Sequence, residues 1–147
     1  MRIQLLIVLF LSTLTLVPAT RADNRSAMLQ FLDASYDRYA SLAREVWELA
    51  ELGYVETQSS ALLQETLAGE GFSVEAGVAD IPTAFVASYG SGEPVIALLA
   101  EFDALPGISQ TDAPFREVNP DHNAGHACGH HLFGAGSTAA AVAVKRW

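Results

Sequence analysis

Past the middle of the chain, the nine residues PVIALLAEF at positions 94–102 form an almost unbroken apolar run that stops at Asp103. A run of that length without alternation suits a strand buried on both faces, and such strands lie in sheets covered by helices. The preceding sequence supplies the helices. Residues 26–52 contain no glycine or proline, and Leu32, Tyr36, Tyr39, Ala43, Val46, Trp47 and Ala50 recur mostly at spacings of three and four, as on one face of an amphipathic helix. Gly53 reads as its stop. After Thr57 and Ser59, the stretch ALLQETLAGEGF puts Leu62, Leu63 and Leu67 on a second helical face that ends around Gly69 and Gly71. The period then changes. FSVEAGV and TAFVASY are rich in aromatic and β-branched residues, and GSG at 90–92 reads as a hairpin turn leading into PVIALLAEF. Helix, helix, strand, strand, strand predicts an α/β fold with a sheet whose faces are covered.

Residues 103–122 show no periodicity and contain three prolines, which predicts a long loop, and loops of that length inside a domain are usually functional. The final stretch, GAGSTAAAVAVKRW, starts with glycine and serine and continues with alanine, as a helix start does. It runs to Trp147 without a cap or a polar tail, so the expectation is a chain that stops inside an element. Residues 1–22 read differently again. Arg2 is followed by an apolar run from Leu5 to Leu11 that continues, interrupted only by Ser and Thr, to Val17, and small residues follow at Thr20 and Ala22. That is the order of an export signal cut after Ala22, and the apolar part is shorter than the roughly 20 residues of a membrane span. The expected organisation is a signal peptide at 1–22 and a domain segment at 23–147, in a protein that is periplasmic or secreted and free of the membrane after cleavage.

Seventeen acidic residues against eight basic ones give a net charge of −9, and losing Arg2 and Arg21 with the leader makes it more negative. That balance argues against nucleic acid as a partner. The single cysteine, Cys128, rules out an internal disulfide, and a lone thiol in an oxidising compartment calls for burial or a metal.

Chemistry concentrates in NAGHACGHHLFGAG at 123–136, which holds three of the four histidines and the cysteine. Cys128 and His130 flank Gly129, and thiolate with imidazole suits zinc and similar ions, the glycine allowing the backbone turn that lets both reach one site. Upstream, Glu101 and Asp103 stand where the apolar run ends. Sites in α/β sheets gather beyond the carboxyl ends of strands, and alternating carboxylates there can bind a metal or orient a metal-bound histidine. A buried inert cysteine beside surface histidines and a polar strand end are the bland alternatives; the two motifs one loop apart are more informative than either alone.

AEFDALPG followed by a loop and GHACGH resembles the metal-dependent amidohydrolase and exopeptidase family, in its hippurate hydrolase and aminoacylase branch. The stretch WELAELGYVETQSSALLQETLAGEGFSVEAGVADIPTAFVASYG is similar to the N-terminal region of that family. Within it, AEFDALPGISQ and GHACGHHLFGAGS resemble in particular the aminobenzoyl-glutamate hydrolase group. The resemblance implies a three-layer α/β/α di-metal catalytic domain of which this chain holds the N-terminal part. It implies that Cys128 and His130 bind metal, that Asp103 supports the site, and that Glu101, standing where related exopeptidases carry a histidine ligand, is a further candidate. His126 belongs to the motif in a supporting role. His131 departs from the aspartate or asparagine common there, which bears on substrate more than on metal. Zinc or manganese, two ions in the complete enzyme, a homodimer when complete, and hydrolysis of an N-acyl or aminobenzoyl amino acid follow from the same likeness. So do a Glu-Glu pair with the general base and two more histidine ligands, none of which is found in this sequence, so the chain by itself is expected to bind metal weakly and to be inactive. A metallo-dipeptidase and a non-catalytic metal-binding module are the competing readings.

Overall fold

The computed structural model describes residues 20–147, with side chains from Asn24 onward. The leader read at 1–22 lies, up to residue 19, outside the described residues. Among the described residues four α-helices, a short 3-10 turn at Val78–Asp80 and two small antiparallel sheets make a mixed α/β structure: α1 (Thr20–Ala34), α2 (Tyr36–Leu49), α3 (Thr57–Gly69), β1 (Ser73–Ala76), β2 (Phe85–Ser88), β3 (Leu105–Pro106), β4 (Ala124–Gly125) and α4 (His130–Arg146). Among the described residues no helix is long and apolar enough to cross a membrane.

The single helix expected over 26–52 is two. Ser35 leaves helical geometry at φ −101° and ψ 3°, and its N–H is shared between the carbonyls of Phe31 and Leu32 at 3.0 and 3.2 Å. The break lets α1 lie on α4 while α2 packs on both α3 and α4. Tyr36, expected on the buried face, is exposed in consequence, and the stripe that enters the core is Tyr39, Leu42, Ala43 and Val46, at the 3-4 spacing of a helix face. Helix α2 also stops before Gly53. Ala50 takes a left-handed conformation (φ 43°, ψ 43°) with its N–H on the Val46 carbonyl at 3.3 Å. Its small side chain is buried with Ala104 and Ala124.

The chain then turns so that Glu51 serves the next helix. Its carboxylate accepts the backbone N–H of Ser59 at 2.7 Å, the Ser59 hydroxyl at 2.8 Å and the Gln58 N–H at 3.1 Å. These amides lie in the first turn of α3, where no intrahelical carbonyl is available. Helix α3 ends as expected, with Gly71 at φ 87° after it and the Phe72 N–H returning to Leu67. Leu63 and Leu67 are buried, and Leu63 joins Tyr39, Leu42, Ala43, Ala135 and Ala139, against which Phe31, Leu62, Phe85 and Phe102 pack.

Strands β1 and β2 fall within the two β-rich stretches and pair with each other, Val74 opposite Ala87. The hairpin expected at 90–92 does not form. Residues 94–102 run without ladder partners, and Val95 and Leu99 are 78 % and 80 % exposed. A strand of that composition is stable when neighbours pair both edges; among the described residues the β1–β2 hairpin is closed on itself and no strand lies beside 94–102. Helix α4 touches only the end of this segment, at Leu99, Glu101 and Phe102.

Helix α4 starts at His130, four residues before the expected GAGS start, because Gly129 at φ 83° ends the preceding turn and its carbonyl accepts from Leu132 and Phe133. The buried stripe of α4 is made of small residues, Gly134, Ala135, Thr138, Ala139, Val142 and Ala143, so the helix sits close to its neighbours. Near its end Arg146 and, from α2, Arg38 converge on the Glu70 carboxylate at 3.1 and 2.5 Å.

Candidate metal centre

The end of the apolar segment and the start of α4 meet through contacts one helical turn apart. The Ser137 hydroxyl donates to the Leu99 carbonyl at 2.6 Å. At Gly134 an added Cβ would lie 3.2 Å from the Glu101 carbonyl oxygen and 3.2 Å from Phe102 Cβ, so a glycine allows the close approach of backbone to backbone. One turn earlier, His130 reaches the segment with its side chain. Its Nδ1 lies 2.7 Å from Asp103 Oδ1 and its Nε2 lies 2.9 Å from Glu101 Oε2. Glu101 and Asp103 are two residues apart on an extended backbone, so both point to the same side.

Glu101, Asp103 and His130 each offer one ligand atom, and these atoms all lie within 4.8 Å of one another. Asp103 and His130 are half-buried and Glu101 is exposed, so the cluster has a supported floor and an open side. Two carboxylate oxygens and an imidazole nitrogen are the donor set of a first-row divalent ion. The protons fit the same reading. A neutral imidazole carries a single N–H and cannot donate to two carboxylates at once. If Nδ1–H serves Asp103, the Nε2 lone pair faces the Glu101 carboxylate, and a cation held by both removes the repulsion between two acceptors.

The structure places the other sequence candidates differently. Cys128 is exposed and stands outside this cluster, although it is only two residues from His130. Gly129 between them takes a left-handed conformation at φ 83°. His126 is buried, its Nε2 donating to the Val46 carbonyl at 3.1 Å, and its ring stacks obliquely on that of His131 with centroids 5.0 Å apart. Burial pushes the pKa of His126 down, against the opposing Val46 hydrogen bond, and burial followed by the neighbouring His126 pushes that of His131 down. His122 is used up inside the loop, with Nδ1 on the Ala124 carbonyl at 2.8 Å and Nε2 on Asn119 at 3.1 Å. Asp103, read as a supporting residue, contributes a potential ligand atom itself; its i, i+2 spacing from Glu101 is the signal in the sequence. The contacts of Gly134 and Ser137 carry no such signal.

The loop expected over 103–122 is shorter at its start and runs from 107 to 123, because Leu105 and Pro106 form β3 and pair with β4. Leu105 pairs with Gly125 and Pro106 with Ala124, and the Gly107 N–H donates to the Asn123 carbonyl at 2.8 Å, closing the base. Inside, its limbs are laced by Thr111 to Glu117, Gln110 to Phe115 and Ser109 to Asn119. Arg44 on α2 holds the loop from outside through Asp112 at 3.1 Å. An open cleft of about 400 Å³ lies between them, lined by Arg44, Trp47, Thr111 and His131 among others.

No family model matches the chain. It is 45 % identical over 118 residues to a p-aminobenzoyl-glutamate hydrolase subunit of Escherichia coli (strain K12), a match covering 79 % of this chain and 24 % of that protein. It is 38 % identical over 96 residues to thermostable carboxypeptidase 1 of Saccharolobus solfataricus, covering 64 % of this chain and 24 % of the relative. With the Xaa-Arg dipeptidase of Homo sapiens it shares 30 % identity over 127 residues, 78 % of this chain and 26 % of the relative. The chain thus spans about a quarter of the length of these relatives.

Proposed function

The chain belongs to the amidohydrolase and exopeptidase family of these relatives, and from that premise we propose that it forms part of the metal site of an amide-bond hydrolase. The observation that carries this reading is the meeting of Glu101, Asp103 and His130, with both nitrogens of one imidazole facing carboxylates. A divalent ion held there, zinc or manganese, would supply Lewis acidity toward the scissile carbonyl and the attacking water. The protein's own part is positional. Asp103 holds the Nδ1 proton of His130 and so fixes the tautomer that leaves Nε2 free for a cation, the usual role of a carboxylate behind a metal-binding histidine. Glu101 faces solvent. Cys128 is proposed as a further ligand on the strength of its motif, two residues from His130, and we assign no residue of this chain as general base.

The substrate class proposed is an N-acyl or aminobenzoyl amino acid, since the p-aminobenzoyl-glutamate hydrolase relative shares 45 % identity. The names of the carboxypeptidase and dipeptidase relatives favour a second reading, in which the scissile amide joins two amino acids. The test is made on the product of the whole reading frame that contains these residues. Stripped with a chelator and reloaded with zinc or manganese, it should hydrolyse aminobenzoyl-glutamate or acyl-amino acids faster than dipeptides; the opposite order selects the second reading. Metal-independent hydrolysis, or none on either class with metal bound, would overturn the proposal. The 147 residues by themselves are proposed to bind metal weakly and not to turn over, which a calorimetric zinc titration showing tight binding would contradict. Export is proposed from the residue order of the leader alone, and N-terminal sequencing of the exported product would show whether the cut follows Ala22.

A further inference from the structure

Both halves of the metal cluster are tied to the end of α2 or to the residues just after it. On one side the Ala104 N–H donates to the Glu51 carbonyl at 2.8 Å, and Leu52 and Ala104 form a parallel bridge; Ala104 directly follows Asp103. On the other side stands His126. It is 8 % exposed, and its Nε2 lies 3.1 Å from the Val46 carbonyl. A carbonyl only accepts, so the ring proton sits on Nε2. The backbone carbonyl of His126 accepts the Gly129 N–H at 3.0 Å. That bond closes the turn from which Gly129 emerges at φ 83° and α4 begins with His130.

We propose that His126 is a positioning residue: its hydrogen bond to Val46 fixes the turn that aims His130 at Asp103, and so sets the metal affinity of Glu101, Asp103 and His130. The inference rests on reading that cluster as a metal site. The carbonyl of Val46 is near a helix end, where acceptors lack full partners, and it already takes the Ala50 N–H at 3.3 Å. Val46 itself is fully buried, so water does not readily replace the imidazole. The link therefore joins a fixed acceptor on a packed helix to a turn that is otherwise held by a single backbone bond. His131 packs against the other ring and limits the rotation of the His126 side chain. His126 is not itself a member of the ligand cluster.

The test uses the full-length protein and three variants. His126→Phe and His126→Met remove the donor, Met with the smaller change of volume; His126→Gln keeps an N–H that can reach Val46. Cobalt(II) affinity is read by competition with a chromophoric chelator, together with the visible spectrum of the bound cobalt, on samples shown to be folded by circular dichroism. The expected result is about a 10- to 100-fold loss of affinity in Phe and Met, the usual effect of removing a residue that orients a ligand. Their cobalt spectrum should be altered, and affinity in Gln should lie within about three-fold of the parent. Unchanged affinity and spectrum in a folded Phe or Met variant would overturn the inference, and so would a folded Gln variant as weak as they are. A purely structural residue would lower the melting temperature and leave the spectrum alone. Should the parent bind no metal, the reading of the cluster fails. The positioning role is then decided in the metal-free protein, where the imidazole nitrogen resonances of His130 should move in Met and return in Gln.

Discussion

Replacing Gly125 by alanine should loosen the candidate site from a distance. An ideal Cβ at this position would lie 2.2 Å from the Ile108 carbonyl oxygen, 3.2 Å from its carbon and 3.5 Å from Ser109 Cα. All three atoms are backbone, so no flexible side chain can swing away. The loop backbone must retreat by roughly 1 Å to restore ordinary contact. Overpacking of this kind costs about 1–3 kcal/mol. Losing the Gly107 to Asn123 bond at the loop base would add about 1 kcal/mol. Gly136 is the internal comparison: it lies exposed in α4 with nothing within 4 Å of its added Cβ, so Gly136→Ala should gain about 1 kcal/mol of helix propensity. Urea unfolding followed by circular dichroism gives both stabilities, and limited proteolysis reports cleavage within loop 107–123. Gly125→Ala should melt earlier and be cut faster in the loop, with weaker metal binding, while Gly136→Ala should melt later. A Gly125→Ala protein with the parent's urea midpoint and the parent's cleavage rate would refute the reasoning from close approach.

Three further outcomes follow from other parts of the structure. Burial alone would raise the Glu51 pKa, but hydrogen bonds from Ser59 and Gln58 hold it below 4.5; its contribution is therefore present above pH 4.5 and lost as pH falls through the lowered folded value. Glu51→Ala should cost about 1 kcal/mol at pH 7, the usual worth of a helix cap, and the difference from the parent should close in acid, which urea titrations at pH 7 and pH 3 would show; a constant difference would contradict the assignment. Tyr54 sits at φ 68° and is 72 % exposed, so Tyr54→Gly should raise stability by about 1 kcal/mol by relieving left-handed strain, measured as a higher thermal midpoint. In the full-length protein, removing the metal with a chelator should lower the thermal midpoint, because an ion present at 100 times its dissociation constant stabilises by about 2.7 kcal/mol, and Asp103→Asn should make chelation matter less.

What the sequence made legible was what local periodicity encodes. The spacing of Tyr39, Ala43 and Val46 put these residues on one helix face, and they are buried together. The alternation of Glu101 and Asp103 put two carboxylates on one side of an extended segment, and His130 meets both. Features set by distant partners were not legible. The break at Ser35 serves the packing of two helices onto α4. The early end of α2 depends on the reach of Glu51 to α3. Residues 94–102 have the composition of a central strand, yet pairing is a property of neighbours and no composition guarantees one. Cys128 and His130 looked equivalent in sequence; in the structure the thiol is exposed while the imidazole enters the first turn of α4.

The separation of Asp103 from His130 along the chain explains why the loop between them has a tightly built base. Asp103 and His130 are 27 residues apart, and most of that distance is loop. Closing a longer loop costs little more than closing a shorter one, about 0.6 kcal/mol for each doubling, so the length of 107–123 is free to vary. What is not free is the geometry where the limbs meet. Asp103 is two residues before β3 and His130 five after β4, and an error at the base is passed directly to these two residues. The devices that admit least change are all found there: a glycine with no room for a Cβ, a two-residue strand pair, and a histidine tied to a helix carbonyl. Beyond the base, the exposed Phe115 and Val118 can be exchanged without moving Asp103 or His130.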